Sequence, residues 1–260
     1  MVYEEGRMSG YFDIHTHVLP RADDGSSSSA ESIEMLCALF DQGVSRVVAT
    51  PHFYASSDEP EEFLLRRGAS MDRLLARIDE EIGKDESIRE RLPDIYLGGE
   101  VEFFGAMSNV DILSEICISG TKRLLVEMPF APWKPSMIEE LYMLRIKQGI
   151  TPIIAHIDRY FGFFKSEMLY DMLDNGIEIQ INADAFLRFS TRRRALELMR
   201  MGMVHYLGSD THNMGRRAPR IGEAIVEIEK RLGKEALKII LGNGSYLAKG
   251  AAPLFKVEDR

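Results

Sequence analysis

Apolar residues in this chain gather into short continuous runs, and most runs are followed by a longer segment with helical spacing. The runs predict seven strands, at residues 11–17, 45–52, 95–103, 123–130, 151–157, 177–183 and 204–210. Most of them are apolar throughout rather than alternating, which is typical of strands buried on both faces of a sheet. The pattern therefore predicts a parallel sheet that is covered by helices.

The segments between the strands carry apolar residues three and four positions apart, which indicates helices. The first helix begins at a capping-box sequence, Ser28 to Glu31, and ends at Gly43. Further helices are predicted at residues 61–83, 110–118, 136–148, 166–174, 190–201, 219–232 and 234–241. Seven repeats of strand and helix favour an α/β barrel that is closed or nearly closed.

The chain of 260 residues shows no linker, low-complexity segment or internal repeat. We therefore expect one domain over residues 1–260, with residues 1–10 as an N-terminal extension. That extension has no apolar core, so it does not resemble a signal peptide.

Composition narrows the range of partners and locations. The formal net charge of -9 argues against nonspecific binding of nucleic acid. No apolar run approaches the roughly 20 residues of a transmembrane helix, so we expect no membrane insertion. The two cysteines, Cys37 and Cys117, are isolated from each other, which suits a reducing cytoplasm and offers no thiolate zinc motif.

Histidines and carboxylates are concentrated at the predicted strand ends. His15 and His17 end the first strand, and Asp210 and His212 follow the last one with the same spacing. The other candidate metal ligands are Asp24 in the first loop, His52, Glu100, Glu127 and His156. Because the carboxyl ends of parallel strands meet at one face of a barrel, we expect a metal site there. His205 lies inside the seventh strand, where a core or supporting role is expected.

The order of these residues resembles a known superfamily. The motifs are His15-Thr-His17, Asp23-Asp24-Gly25, Thr50-Pro-His52, Gly99-Glu100, Val126-Glu127, Ala155-His156-Ile-Asp-Arg159 and Ser209-Asp210-Thr-His212-Asn213. Together, over about residues 11–245, they resemble the PHP (polymerase and histidinol phosphatase) superfamily. Within it they are most similar to the bacterial manganese-dependent tyrosine-protein phosphatases of capsule and exopolysaccharide operons. Carboxylates at Asp24 and Glu127, where many members have histidine, favour this branch.

The resemblance implies a distorted, TIM-barrel-like (β/α)7 barrel with three metal ions at the carboxyl ends of its strands. His15, His17, Glu100 and Asp210 would hold one ion by similarity. Glu100 would bridge to a second ion, held also by Glu127 and His156, and Asp24, His52 and His212 would hold the third. Manganese is the implied metal, with iron or zinc as alternatives, and mixed imidazole and carboxylate ligands suit these ions better than calcium.

The resemblance also implies a reaction. A metal-bridging hydroxide would attack phosphorus in the phosphotyrosine of a protein, such as a tyrosine autokinase of polysaccharide biosynthesis. The expected catalytic residues are Asp210, His212, Arg159 and Arg216. The two arginines are included because guanidinium groups match phosphate oxygens. Phosphate or sulfate could occupy the same site. The loop after Asp210 is one residue longer in the family, so either Arg216 or Arg217 could be the match.

Two other functions stay open at this point. One is a small-molecule phosphatase of the histidinol phosphate type, and the other is a catalytically silent metal-binding module. Cysteine-dependent phosphatases are excluded because the chain has no Cys-x5-Arg loop. The chain also lacks a Gly-x4-Gly-Lys-Ser/Thr phosphate loop and a Gly-x-Ser-x-Gly elbow.

Overall fold

The computed structural model describes residues 10–257, so all but the last residue of the predicted N-terminal extension lies outside the described residues. Within this range the chain forms nine strand segments. They are β1 (Tyr11–Thr16), β2 (Val44–Ala49), β3 (His52–Phe53), β4 (Asp94–Leu97), β5 (Glu100–Glu102), β6 (Arg123–Glu127), β7 (Thr151–Ile154), β8 (Glu178–Asn182) and β9 (Tyr206–Gly208). All the pairs between them are parallel, in the orders β1-β2-β4 and β3-β5-β6-β7-β8-β9.

Nine segments correspond to the seven predicted strands because two of the predicted runs are broken. The run 45–52 is interrupted at Thr50 and Pro51, and the run 95–103 is interrupted at Gly98 and Gly99. Proline lacks the N–H that a ladder requires, and glycine packs poorly inside a strand. At these breaks the chain passes from the three-stranded sheet to the six-stranded sheet.

The first and last strands close the structure. The Asp210 backbone N–H donates to the His15 carbonyl at 2.9 Å, and the His17 N–H donates to the Thr211 carbonyl at 2.9 Å. The buried Asp13 carboxylate adds a bond, because its Oδ1 accepts from the Ser209 N–H at 2.9 Å. The predicted α/β barrel of parallel strands is therefore confirmed.

Helices surround the barrel, and the longer ones agree with the prediction. They are α1 (Ser29–Asp41), α2 (Pro60–Lys84), α3 (Ser87–Glu90), α4 (Leu113–Ile116), α5 (Pro135–Gln148), α6 (Ser166–Asp174), α7 (Asp184–Leu187), α8 (Phe189–Arg200), α9 (Ile221–Leu232) and α10 (Leu237–Gly250). The predicted helix 110–118 is only one turn long, and the last helix runs nine residues beyond the predicted end at 241. In the described range no helix has both the length and the apolar character that a membrane span needs.

The core has two parts. The larger cluster joins the outer faces of the strands to the helices, and the smaller one takes residues from β1, β2, β4, β6, β7 and β9 together with Leu247 of α10. Because side chains from strands all round the barrel meet in the smaller cluster, it fills the barrel interior. The polar residues at the carboxyl ends of the strands therefore lie next to the apolar core that fills the barrel interior.

Candidate metal centre

All nine predicted metal ligands come together at the carboxyl ends of the strands. His15 is the penultimate residue of β1, His52 begins β3, Glu100 begins β5 and Glu127 ends β6. His17, Asp24, His156, Asp210 and His212 lie in the loops that follow strands. Seven of the nine are buried, Glu127 is partly buried and Asp24 is exposed. The barrel thus concentrates five imidazoles and four carboxylates in one pocket.

Glu100 is the centre of this cluster. Its carboxylate lies 2.7 Å from Nε2 of His156 and 3.0 Å from Nε2 of His15. It also lies 3.2 Å from Nε2 of His17 and 3.2 Å from Nδ1 of His52. Four imidazoles thus surround one buried carboxylate, and the bridging of two ions by Glu100 stays a prediction.

Eight of the nine residues form three overlapping groups whose ligand atoms lie within 4.8 Å of one another. The groups are His17, Asp24, His52 and His212; His15, His17 and Asp210; and His52, Glu100 and Glu127. Metal bonds of about 2.1 Å place neighbouring ligand atoms about 3 to 4 Å apart. The observed spacing therefore fits divalent ions.

The groups differ in detail from the predicted ligand sets. His17 and His52 each belong to two groups, whereas His156 stands outside all three. His156 still lies 3.5 Å from Glu127 as well as 2.7 Å from Glu100, between the two carboxylates expected to share its ion. The predicted division into three ligand sets stays a prediction.

Three histidines are held in place through Nδ1, so that Nε2 is directed at the cluster. Nδ1 of His15 donates to the Gln180 side-chain oxygen at 3.3 Å, Nδ1 of His17 to Asp23 at 2.7 Å, and Nδ1 of His212 to the Asp210 carbonyl at 3.0 Å. Each Nε2 therefore faces the cluster, where it can bind a metal ion once it carries no proton. Nε2 of His212 is buried and has no hydrogen-bond partner among residues 10–257, as expected for a ligand atom.

Electrostatics in the cluster favours bound cations. Burial opposes a charge on His17, yet Asp23 and Glu100 outweigh it and raise the pKa of His17 to about 10. Burial also opposes the charge of Glu100, but the neighbouring His15 holds the pKa of Glu100 well below its usual range. Burial, with the charge of His17, lowers the pKa of His212 to about 3, so this imidazole is neutral. Ions would replace the protons that now balance the carboxylates.

Two of the candidate ligands have an unusual backbone conformation. His156 has a φ of 31° and Asp210 a φ of 53°, both in the left-handed region that residues other than glycine rarely adopt. Such strain is found mainly at functional sites. At Gly25, an added Cβ would lie 2.3 Å from the His17 carbonyl oxygen, so only glycine lets the first loop close over this ligand.

The sixth predicted strand contributes residues that the sequence analysis did not assign. Gln180 of β8 accepts from His15 and donates to Asn182 at 3.0 Å, and Asn182 donates to Asp210 Oδ2 at 2.9 Å. Asp23 is a further supporting residue, because its carboxylate binds His17 and accepts from the His52 backbone N–H at 3.0 Å. Polar residues alternating with isoleucine from Glu178 to Asn182 were the signal in the sequence.

Arg159 borders the cluster on one side. It lies in the 3-10 turn Ile157–Tyr160, and its Nη2 donates to Oδ2 of Asp210. Its Nη1 is 3.8 Å from Oε1 of Glu127. The guanidinium therefore lies between two carboxylates that are predicted to bind different ions.

A second arginine reaches the cluster from the loop after His212. Nη2 of Arg217 donates to Oδ1 of Asp210 at 2.7 Å, and Nη1 lies 3.9 Å from Oδ2 of Asp24. Arg216, the predicted candidate, is exposed. Arg217 is thus the arginine of this loop that lies at the cluster, and contact of Arg216 with phosphate stays a prediction.

Comparison with known proteins gives consistent matches over nearly the whole chain. Residues 11–248 match the family described as capsular polysaccharide synthesis, CpsB/CapC. Tyrosine-protein phosphatase YwqE of Bacillus subtilis is 31% identical over 245 residues, which cover 91% of each chain. Tyrosine-protein phosphatase CpsB of Streptococcus agalactiae is 28% identical over 251 residues, covering 91% of this chain and 98% of the relative.

The fold has a close counterpart among solved structures. The crystal structures of YwqE from Bacillus subtilis and CpsB from Streptococcus pneumoniae are described as those of unique metal-dependent tyrosine phosphatases. A chain from that work superposes with a TM-score of 0.79 at 26% identity, covering 94% of this chain and 100% of the other.

Proposed function

The chain belongs to the CpsB/CapC family of capsular polysaccharide synthesis, and we propose that it is a metal-dependent phosphomonoesterase that hydrolyses protein phosphotyrosine. Family membership confirms the resemblance seen in the motifs. The observation that carries the proposal is the convergence of five histidines and four carboxylates on one pocket with two arginines at its edge. Relatives that match over nine-tenths of the chain are named tyrosine-protein phosphatases.

The pocket would hold three divalent ions, manganese in the first place and iron or zinc as alternatives. The ligands would be His15, His17, Asp24, His52, Glu100, Glu127, His156, Asp210 and His212. Such ions activate water and neutralise phosphoryl oxygens. Three ions would bring +6 and the four carboxylates -4, so the pocket would be cationic and would attract a phosphate dianion, or sulfate in its place.

The side chains around the ions would position the substrate. Arg159 and Arg217 now bind carboxylates, and their planar forks can also bind two phosphoryl oxygens at once. Asn182 and Gln180 keep Asp210 and His15 in place from behind. The leaving tyrosinate needs little assistance, because the pKa of tyrosine is about 10.

The substrate would be a phosphotyrosyl protein of polysaccharide assembly, such as a bacterial tyrosine autokinase. Named relatives in capsule synthesis support this choice. A cytoplasmic location is part of the same proposal, since the free cysteines Cys37 and Cys117 suit a reducing compartment.

Hydrolysis of a phosphotyrosyl peptide, compared with histidinol phosphate, tests the proposal in the presence of added manganese. We expect a higher kcat/KM for the peptide, and a preference for histidinol phosphate would contradict the proposal. Asp210→Ala is the control, because it removes a ligand while circular dichroism reports folding. A folded Asp210→Ala protein with near wild-type activity would exclude the metal-dependent reaction, and wild-type protein that binds manganese without turnover would indicate a silent metal-binding module.

A further inference from the structure

An apolar groove lies beside the metal centre, between the loops that follow β6 and β7. It has a volume of about 580 Å³, a size typical of ligand sites. Its walls are Pro132, Trp133, Pro135, Phe163, Phe164 and Met168. The metal centre uses none of these residues, so the groove has no role in the function proposed above.

A chain of aromatic rings connects the groove to the metal centre. Tyr160 lies 5.5 Å from the candidate ligand His156, and Phe130 lies 5.6 Å from Tyr160. The same Phe130 ring lies 5.4 Å from Phe163, which lines the groove. Three contacts of this length are spanned by roughly five residues of extended polypeptide, so one peptide can reach both places.

The groove is held in shape before anything binds. The Trp133 backbone N–H donates to the Phe163 carbonyl at 2.9 Å, which joins the two loops. The Trp133 ring donates through Nε1 to the Pro129 carbonyl at 3.3 Å and stacks on Phe164 at 5.0 Å. A preformed pocket spares a ligand the entropy of ordering it.

The exposed apolar surface at the entrance points to an apolar occupant. Phe130, whose ring contacts Phe163 of the groove, is 65% exposed. The charged residues that line the groove, Lys165 and Glu167, have opposite signs, so the groove has no net charge for an anionic head group. Among occupants, a peptide segment attached to the phosphotyrosine fits best, because only three ring contacts separate the groove from the site that would bind the phosphate.

We propose that this groove binds an apolar side chain of the substrate polypeptide within about five residues of its phosphotyrosine. The inference rests on the proposed phosphotyrosine phosphatase function and adds a sequence preference to it. The metal centre would then bind the phosphate, and the groove would bind a side chain near the phosphotyrosine in the sequence.

Phosphotyrosyl peptides test this, with one leucine placed in turn at each position up to about five residues from the phosphotyrosine. An all-serine peptide is the reference, and p-nitrophenyl phosphate measures the metal centre alone. We expect leucine at one or two positions to raise kcat/KM about tenfold or more over the reference. Phe130→Ala and Met168→Glu should remove this gain, measured relative to p-nitrophenyl phosphate in the same variant.

Tyr170→Glu is the matched control for Met168→Glu, because it adds the same charge to α6 at a residue that does not line the groove and is 46% exposed. It should keep the leucine preference. Absence of any preference, or a preference that survives in both groove variants, would overturn the inference while leaving phosphotyrosine hydrolysis in place. A wild-type dimer that either groove variant converts to a monomer, with the peptide preference unchanged, would instead assign the groove to a second copy of the chain. Failure to hydrolyse any phosphopeptide would overturn both proposals.

Discussion

At the residue scale, two arginines form ion pairs with carboxylates of the candidate metal centre. Arg159 and Arg217 both bind Asp210, and each extends toward one further carboxylate. Divalent ions would compete for the same oxygens and release the guanidinium groups toward a bound phosphate. Substitution of either arginine should therefore show whether substrate turnover changes while metal binding does not.

Arg159→Lys should lower kcat about 100- to 1,000-fold, the usual effect of losing one donor that stabilises the transition state. Lysine keeps the charge but not the planar fork that contacts two oxygens. Metal content should be unchanged, because Arg159 is not a predicted ligand. Steady-state kinetics at saturating manganese, together with metal analysis, measures both. A change in KM alone would restrict Arg159 to binding the ground state.

Arg217→Ala should reduce kcat/KM more than Arg216→Ala does. Arg217 lies 2.7 Å from Asp210, whereas Arg216 is exposed on the same loop. Both variants replace an arginine with alanine at neighbouring positions. The ratio of their kcat/KM values therefore reports the effect of where each arginine lies. Kinetics with p-nitrophenyl phosphate gives that ratio, and the opposite order would identify Arg216 as the residue that contacts phosphate.

At the scale of elements, β8 and β9 are joined by a histidine outside the metal centre. His205 donates its backbone N–H to the Ile179 carbonyl at 2.9 Å, and its Nδ1 accepts from the Ile179 N–H at 3.1 Å. Burial lowers the pKa of His205 below its usual value, with Glu178 acting against this. A neutral imidazole is required for the second bond, so the start of β9 depends on the protonation of His205.

His205→Asn should make the protein less sensitive to acid than the wild type. The folded protein holds His205 with a lowered pKa, so below about pH 6.5 the unfolded chain binds the proton first. The contribution of His205 to stability is therefore complete above that pH and is lost as the pH falls. Asparagine offers an acceptor that does not titrate.

Urea unfolding of metal-free protein, at about pH 7.5 and about pH 5.5, tests the role of His205. The free energy of unfolding should fall more in the wild type than in His205→Asn. Equal losses in the two proteins would show that Nδ1 of His205 does not contribute.

At the scale of the whole molecule, metal ions at the candidate centre would contribute to stability as well as to function. Its predicted ligands come from β1, β3, β5, β6 and the loops after β1, β7 and β9, so ions bound there would join segments from most of the barrel. Ions that bind only the folded state stabilise it by mass action.

Removal of metal should lower the melting temperature by about 5 °C or more. A single ion at 100 times its dissociation constant contributes about 2.7 kcal/mol, and 1 kcal/mol corresponds to about 2–4 °C in a domain of this size. Differential scanning fluorimetry with manganese and with a chelator measures the difference. Asp210→Ala should show a smaller difference, and a wild-type protein that melts equally under both conditions would contradict a metal site that spans the barrel.

The sequence by itself determined the barrel and the side chains that meet in the candidate metal centre. Apolar runs locate strands, and parallel strands of one barrel bring their carboxyl ends to one face, so residues such as His15, Glu100 and Asp210 had to be neighbours. Tertiary structure alone decided the finer arrangement. Distances between side chains on different strands depend on register and on left-handed backbone at loop residues such as Asp210, which residue spacing does not encode. For the same reason, three features became visible only in the folded chain: Arg217 rather than Arg216 at the cluster, the contact of Gln180 with His15, and the groove between two loops.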